Sequence, residues 1–97
     1  MPNLENVQDV ENIQYAVIIK DAEFRRLSWR CRRGMLELDI VLQRFMAMHF
    51  YSLSIEELAT FDVLLEMPDN DFWSLLQQNV SALDVTKKTI IQKLNGQ

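Results

Sequence analysis

The chain is poor in almost everything that specialised chemistry or β-architecture demands. It has two glycines, Gly34 and Gly96, and two prolines, Pro2 and Pro68, far fewer than the turns of a sandwich or barrel require. Cys31 is its only cysteine and His49 its only histidine. A single cysteine excludes an internal disulfide, and one Cys plus one distant His falls short of the three or four ligands zinc needs. No metal site is expected. Long apolar runs are missing as well: Tyr15 to Ile19 and Phe45-Met46-Ala47-Met48 are well below the roughly 20 residues that cross a bilayer as a helix. Met1 to Glu11 carries Glu5, Asp9 and Glu11 with no Lys or Arg, the reverse of a secretory or mitochondrial leader. With the lone thiol, this points to a reducing, cytoplasmic, bacterial setting and to no membrane insertion.

What is present reads as an ordinary globular domain: 97 residues, 48% hydrophobic and 25% charged, enough to bury about 60–65% of the unfolded chain's surface around one core. The expected fold class is all-α, a compact five-helix bundle forming a single domain over residues 21–95. Residues 1–20 form a poorly defined extension, where Val7, Val10 and Ile13 have helical spacing but Val17-Ile18-Ile19 reads equally well as extended.

Asp21 is read as the N-cap of a first helix running through Leu27 and Trp29 to about Arg32. Gly34 interrupts it, because glycine is disfavoured inside helices and favoured where the chain must turn. Leu38, Val41, Leu42, Phe45 and Met48 then recur at helical spacing, with Leu36, Ile40 and Ala47 adding a flanking apolar face. So widely apolar a helix is expected to be the central one. Ser54-Ile55-Glu56-Glu57 matches a capping box ahead of Leu58, Phe61 and Leu65. Pro68-Asp69-Asn70-Asp71 reads as a turn with cap-forming side chains before a short helix bearing Phe72, Trp73, Leu75 and Leu76. Ser81 or Asp84 starts the last helix, with Leu83, Ile90 and Leu94 inward and Lys87, Lys88 and Lys93 facing water until Asn95-Gly96 stops it.

The net charge of −4 argues against a general nucleic-acid binder. Five of the six arginines, Arg25, Arg26, Arg30, Arg32 and Arg33, lie between positions 25 and 33, whereas acidic residues dominate from Glu37 to Asp84. A polarised surface follows.

Catalytic constellations do not assemble. His49 sits beside Phe50-Tyr51 at a helix end, where a structural histidine is the simpler reading than a triad base. Cys31 reads as a small buried hydrophobe. Neither glycine belongs to G-x-G-x-x-G or G-x-x-x-x-G-K-[ST], so the chain lacks the backbone cradle of a nucleotide cofactor and none is expected. Glu56-Glu57 and Asp69/Asp71 occupy capping positions, which explains them without a glycosidase-type carboxylate pair.

The unusual stretch is Trp29-Arg30-Cys31-Arg32-Arg33-Gly34-Met35-Leu36-Glu37-Leu38-Asp39. In one reading Glu37 and Asp39 complement a helix N-terminus and one of them pairs with Arg33. In the other it is a recognition patch: arginine and aromatic side chains are frequent binding anchors, and a glycine lets a partner's backbone approach.

At these residues the sequence resembles the SdhE family, the flavinylation (FAD assembly) factors for succinate dehydrogenase, related to mitochondrial succinate dehydrogenase assembly factor 2. The signature R-G-x-x-E is met by Arg33, Gly34 and Glu37 and is followed by Leu38-Asp39. Phe45, Leu53-Ser54, Phe61, Leu64-Leu65-Glu66 and Asp69 to Asp71 echo the later pattern, so the likeness runs from about Phe24 to Leu76. One local departure is Leu75, where the family often has Trp and this chain places Trp73 two positions earlier.

The resemblance implies a five-helix fold. It also implies a non-catalytic role in helping the flavoprotein subunit of succinate dehydrogenase, or of the related fumarate reductase, acquire covalently bound FAD. Arg33, Gly34 and Glu37 are then expected to contact that client, with Arg26, Trp29, Arg32, Met35 and Asp39 on or near the same surface. The protein is expected to be mostly monomeric and to bind no nucleic acid. An antitoxin-like or nucleic-acid-linked regulatory binder is the alternative, since members of the family have also carried an antitoxin label.

Overall fold

The structure, a computed structural model, describes residues 17–78 and 83–96. The helical spacing of Val7, Val10 and Ile13 and the possible helix start at Ser81 fall outside the described residues. Five α-helices and no strand occur among the described residues: α1, described over 17–30; α2, Leu36–His49; α3, Ile55–Leu64; α4, Asp69–Gln77; and α5, Val85–Leu94. A short 3-10 turn, Phe50–Ser52, follows α2.

The first helix departs from the sequence reading. Residues 17–19 are helical rather than extended, and Asp21 lies inside α1 instead of capping it. The Asp21 carboxylate accepts the Tyr51 hydroxyl at 2.8 Å, while the Tyr51 ring stacks on Phe24, 5.4 Å between centroids. Lys20 Nζ donates to the Leu53 carbonyl at 3.2 Å. Contacts made by later residues therefore carry the helix past its expected start, an effect local propensity does not contain.

Side-chain capping explains the starts of α3 and α5. Ser54 accepts the Glu57 N–H while the Glu57 carboxylate accepts the Ser54 N–H, the reciprocal box expected of this motif. Asp84 accepts the Lys87 N–H at 2.9 Å and begins α5. At α4 the N-cap is Pro68, with no side-chain cap, and Asp69 is already the first helical residue. The expected caps at Asp69 and Asp71 are not used; both instead place negative charge in the first helical turn, where the dipole favours it.

The core is aromatic and continuous. Leu27 of α1, Cys31 just after it, Leu38, Leu42 and Phe45 of α2, Phe61 of α3, Phe72 of α4 and Ile90, Ile91 and Leu94 of α5 are fully buried. Phe45 and Phe61 meet with centroids 4.6 Å apart, and Phe24 meets Phe50 edge-to-face at 5.3 Å. The central position expected of α2 is half right. Its Leu38-Leu42-Phe45-Met46 stripe is buried, but Leu36, Ile40, Ala47 and Met48 face water. Trp73 and Leu75 both pack half-buried against the core, accommodating the local departure on α4.

Acidic and basic halves of the sequence meet across helices instead of remaining apart. Asp62 of α3 takes both Arg26 and Arg30 of α1. Lys93, expected to face water, reaches Glu57 at 3.4 Å and ties α5 to α3.

These pairs set an acid dependence. Burial pushes the Asp62 carboxyl up, but hydrogen bonds from Arg30 and Arg26 outweigh it and hold the group below its ordinary 3.8. The Ser54 N–H, with help from Lys93, holds Glu57 below 4.5. Folded-state values below unfolded ones contribute stability that is present above about pH 4.5 and is lost as pH falls through the lower folded values. The difference in urea midpoint between wild type and a Glu57→Gln/Asp62→Asn double variant is therefore expected to narrow as pH drops from 7 to 3. A gap independent of pH would contradict this assignment.

Candidate protein-docking site

The turn between α1 and α2 is built around a glycine that no L-residue replaces comfortably. Cys31 and Arg32 close the end of α1 through backbone bonds to Leu27, Ser28 and Trp29. Gly34 then adopts φ +90°, and Met35, half-buried on the core, caps α2 without a side-chain bond. Among the described residues, its chain neighbours aside, nothing lies within 4 Å of where a Gly34 Cβ would stand. The glycine is required by backbone conformation and opens onto free space.

Two carboxylates brace this turn from either side. Asp39, in the first turn of α2, accepts the Arg33 N–H at 2.8 Å and the Gly34 N–H at 3.1 Å. On the other side the Arg33 guanidinium, only 13% exposed, lies against the α3–α4 connection. It donates Nε to Asp69 at 2.5 Å, Nη1 to the Leu65 carbonyl at 2.6 Å and Nη2 to the Met67 carbonyl. It also rests over the Phe72 ring, 5.8 Å from the centroid. Of the two partners first considered for Arg33, Glu37 and Asp39, neither takes its side chain; Asp69, 36 positions along the chain, does.

The remaining residues of the arginine-rich stretch divide by helix face. Arg26 turns toward α3, bonded to Glu23 at 2.7 Å and Asp62 at 3.2 Å. Trp29 points outward, 71% exposed, with the Arg32 guanidinium 5.2 Å from its ring centroid. Glu37 is exposed and forms no ion pair among the described residues. The structure thus brings Trp29, Arg32, Gly34, Met35 and Glu37 to one accessible corner, with Arg33 and Asp39 beneath it and Arg26 on the opposite flank of α1.

Two features of this corner were not singled out in the sequence as site residues. Leu36 and Ile40 are 68% and 57% exposed and extend it along α2; they had read as a flank of the core face. Beside them, Phe24, Ser28, Arg32, Gln43, Met46 and Ala47 line an open groove of about 290 Å³ between α1 and α2. Their i, i+4 spacing held the signal, but periodicity alone does not say which of two apolar faces is covered.

Nothing in the corner resembles a reactive centre. Cys31 lies beneath it fully buried, its thiol pushed up to about 12 by burial against the opposing pull of Arg33 and Arg30, so it is not a ready nucleophile. His49 ends α2 against the Phe45 ring. Among the described residues no group of three His, Cys, Asp or Glu is arranged to hold a metal, and no helix is long and apolar enough to cross a membrane.

A small all-α domain that concentrates exposed aromatic, basic and apolar side chains around a positive-φ glycine turn has the form of a protein-docking module. The chain belongs to the family described as flavinator of succinate dehydrogenase, which matches residues 25–97. It is similar to the FAD assembly factor SdhE of Coxiella burnetii, 41% identical over 70 residues covering 72% of this chain and 85% of that protein. The FAD assembly factor SdhE of Pseudomonas aeruginosa is 34% identical over 74 residues, 76% of this chain and 88% of that one. The protein of the same name from Legionella pneumophila (strain Lens) is 48% identical over 54 residues, 56% of this chain and 68% of that protein. No solved structure matches.

The geometry separates two residues of the signature. Gly34→Ala adds no clash but forces an alanine to φ near +90°, at a cost of about 1–2 kcal/mol. Glu37→Ala removes an exposed side chain that has no ion pair among the described residues, and loses only its first-turn charge on the α2 dipole, about 0.3–1 kcal/mol and in part offset by alanine's helix propensity. Urea denaturation of both variants checks the ranking, and equal losses would contradict it.

Proposed function

We propose that this protein is an assembly factor that binds the apo flavoprotein subunit of succinate dehydrogenase, or of fumarate reductase, and promotes covalent attachment of FAD to it. Family membership across 25–97 supports the client and the task. The observation that carries the docking face is the accessible corner in which Gly34 opens onto free space beside unpaired Glu37 and exposed Trp29.

The client presses on this corner, with the Gly34 backbone admitting close approach and Glu37 offering a carboxylate to a donor on the client. Trp29, Arg32, Leu36 and Ile40 supply buried area once the surfaces meet, as aromatic and arginine anchors do at other interfaces. The protein carries out no bond-making step and holds no cofactor. Its effect is to favour the client conformation in which flavin and acceptor histidine are aligned, and that shift is bounded by the difference in affinity for the two client states, tenfold for about 1.4 kcal/mol. It acts as a monomer in the bacterial cytoplasm. A phosphate-binding role for the arginine cluster is disfavoured, because Arg26, Arg30 and Arg33 are neutralised by Glu23, Asp62 and Asp69.

Mixing the purified protein with apo flavoprotein subunit and FAD, and reading covalent flavin by fluorescence of the denatured client, tests this. Wild type is expected to accelerate attachment. Glu37→Arg is expected to remain folded and to weaken client binding at least tenfold, about 1.4 kcal/mol. Equal binding and equal attachment rates for the two would rule out the corner as the docking face.

A further inference from the structure

We infer that Arg33 is a positioning residue that never touches the client. With Asp69 it forms an internal bolt that holds the Gly34 turn, and through it Glu37, in the shape the client reads. The inference builds on the proposed client-binding role and assigns the signature arginine a different task from the glycine and glutamate beside it.

The geometry points this way on three counts. All three donor nitrogens of the Arg33 side chain are already engaged, by Asp69, the Leu65 carbonyl and the Met67 carbonyl. Two of its five N–H groups are left over, but only 13% of the side chain is exposed, and swinging the guanidinium out to a client would leave the Leu65 and Met67 carbonyls and the Asp69 carboxylate without their charged donor. Second, among the described residues none beyond its chain neighbours comes within 4 Å of where a Gly34 Cβ would stand. The turn is held from below, by the Arg33 side chain on one hand and the Asp39 carboxylate on the Arg33 and Gly34 amides on the other. Third, lysine cannot replace this fork, since one ammonium does not span a carboxylate and two carbonyls in a plane. The α3–α4 corner, far along the chain, thereby sets the conformation of the motif.

Three variants of the full chain decide the matter: Asp69→Asn, Arg33→Lys and Glu37→Ala, with the first also combined with the third. At a temperature where circular dichroism shows each folded, Asp69→Asn and Arg33→Lys are each expected to weaken binding to the apo flavoprotein about tenfold. In the Glu37→Ala background Asp69→Asn is expected to cost no more than about threefold further, because the residue being positioned is gone. Wild-type affinity in Asp69→Asn, or losses that multiply independently, would overturn the inference; the first is what a direct client contact by Arg33, or a purely structural role, predicts.

Amide exchange in the free protein gives a readout that needs no client. The Arg33 and Gly34 amides are expected to exchange at least tenfold faster in Asp69→Asn while α5 amides keep their wild-type rates. Unchanged exchange at Arg33 and Gly34 overturns the bolt. If wild-type protein does not bind the flavoprotein, the proposed function falls and this exchange result alone decides the role of Arg33.

Discussion

The guanidinium of Arg33 ties the turn between α1 and α2 to the connection between α3 and α4, over the core that both pack against. It leaves the backbone where α1 has ended and α2 has not begun, and it satisfies two carbonyls of the α3–α4 connection, Leu65 and Met67, together with the carboxylate that opens α4. Helix ends always leave such groups in want of partners. Here one side chain serves the C-cap carbonyl of α3 at Leu65 and a second carbonyl at Met67 in the loop that follows, and the connection between α3 and α4 becomes the floor beneath the Gly34 turn. An arginine suits the task because its planar fork presents several donors at fixed angles and stays charged at any relevant pH.

Around that joint the molecule divides its arginines by purpose. Arg26 and Arg30 face α3 and share Asp62, Arg44 donates to the Leu94 carbonyl at the end of α5, and Arg33 is turned inward. Arg32, stacked on Trp29, stays at the surface. A cluster that looks in the sequence like one basic patch is thus split: Arg26, Arg30 and Arg33 pair with carboxylates while Arg25 and Arg32 stay exposed, and its net field at the surface is weaker than a count of residues suggests. Recognition at the corner has to rely on shape, apolar area and a few placed charges rather than on steering by bulk charge.

Much of this was legible beforehand because it follows from local rules. The scarcity of glycine and proline excluded β-architecture, the capping box at Ser54 and Glu57 placed the start of α3, and the spacing of Leu38, Leu42 and Phe45 marked the buried face of α2. The signature Arg33-Gly34-Glu37 located the turn. What stayed hidden depends on contacts between residues distant in sequence. The pairing of Arg33 with Asp69 spans 36 positions, so Asp69 looked like a cap. The exposure of Leu36, Ile40 and Met48 is decided by where the other helices end, and the early start of α1 by Tyr51 and Leu53 reaching back to Asp21 and Lys20.

The account stands on one corner of the molecule being the face that meets the client. Hydrogen exchange of the wild-type protein, alone and saturated with apo flavoprotein subunit, measures that directly. Slowed exchange confined to amides of residues 29–40, with α5 unaffected, is the predicted pattern; protection concentrated on α5, or none anywhere, would contradict it.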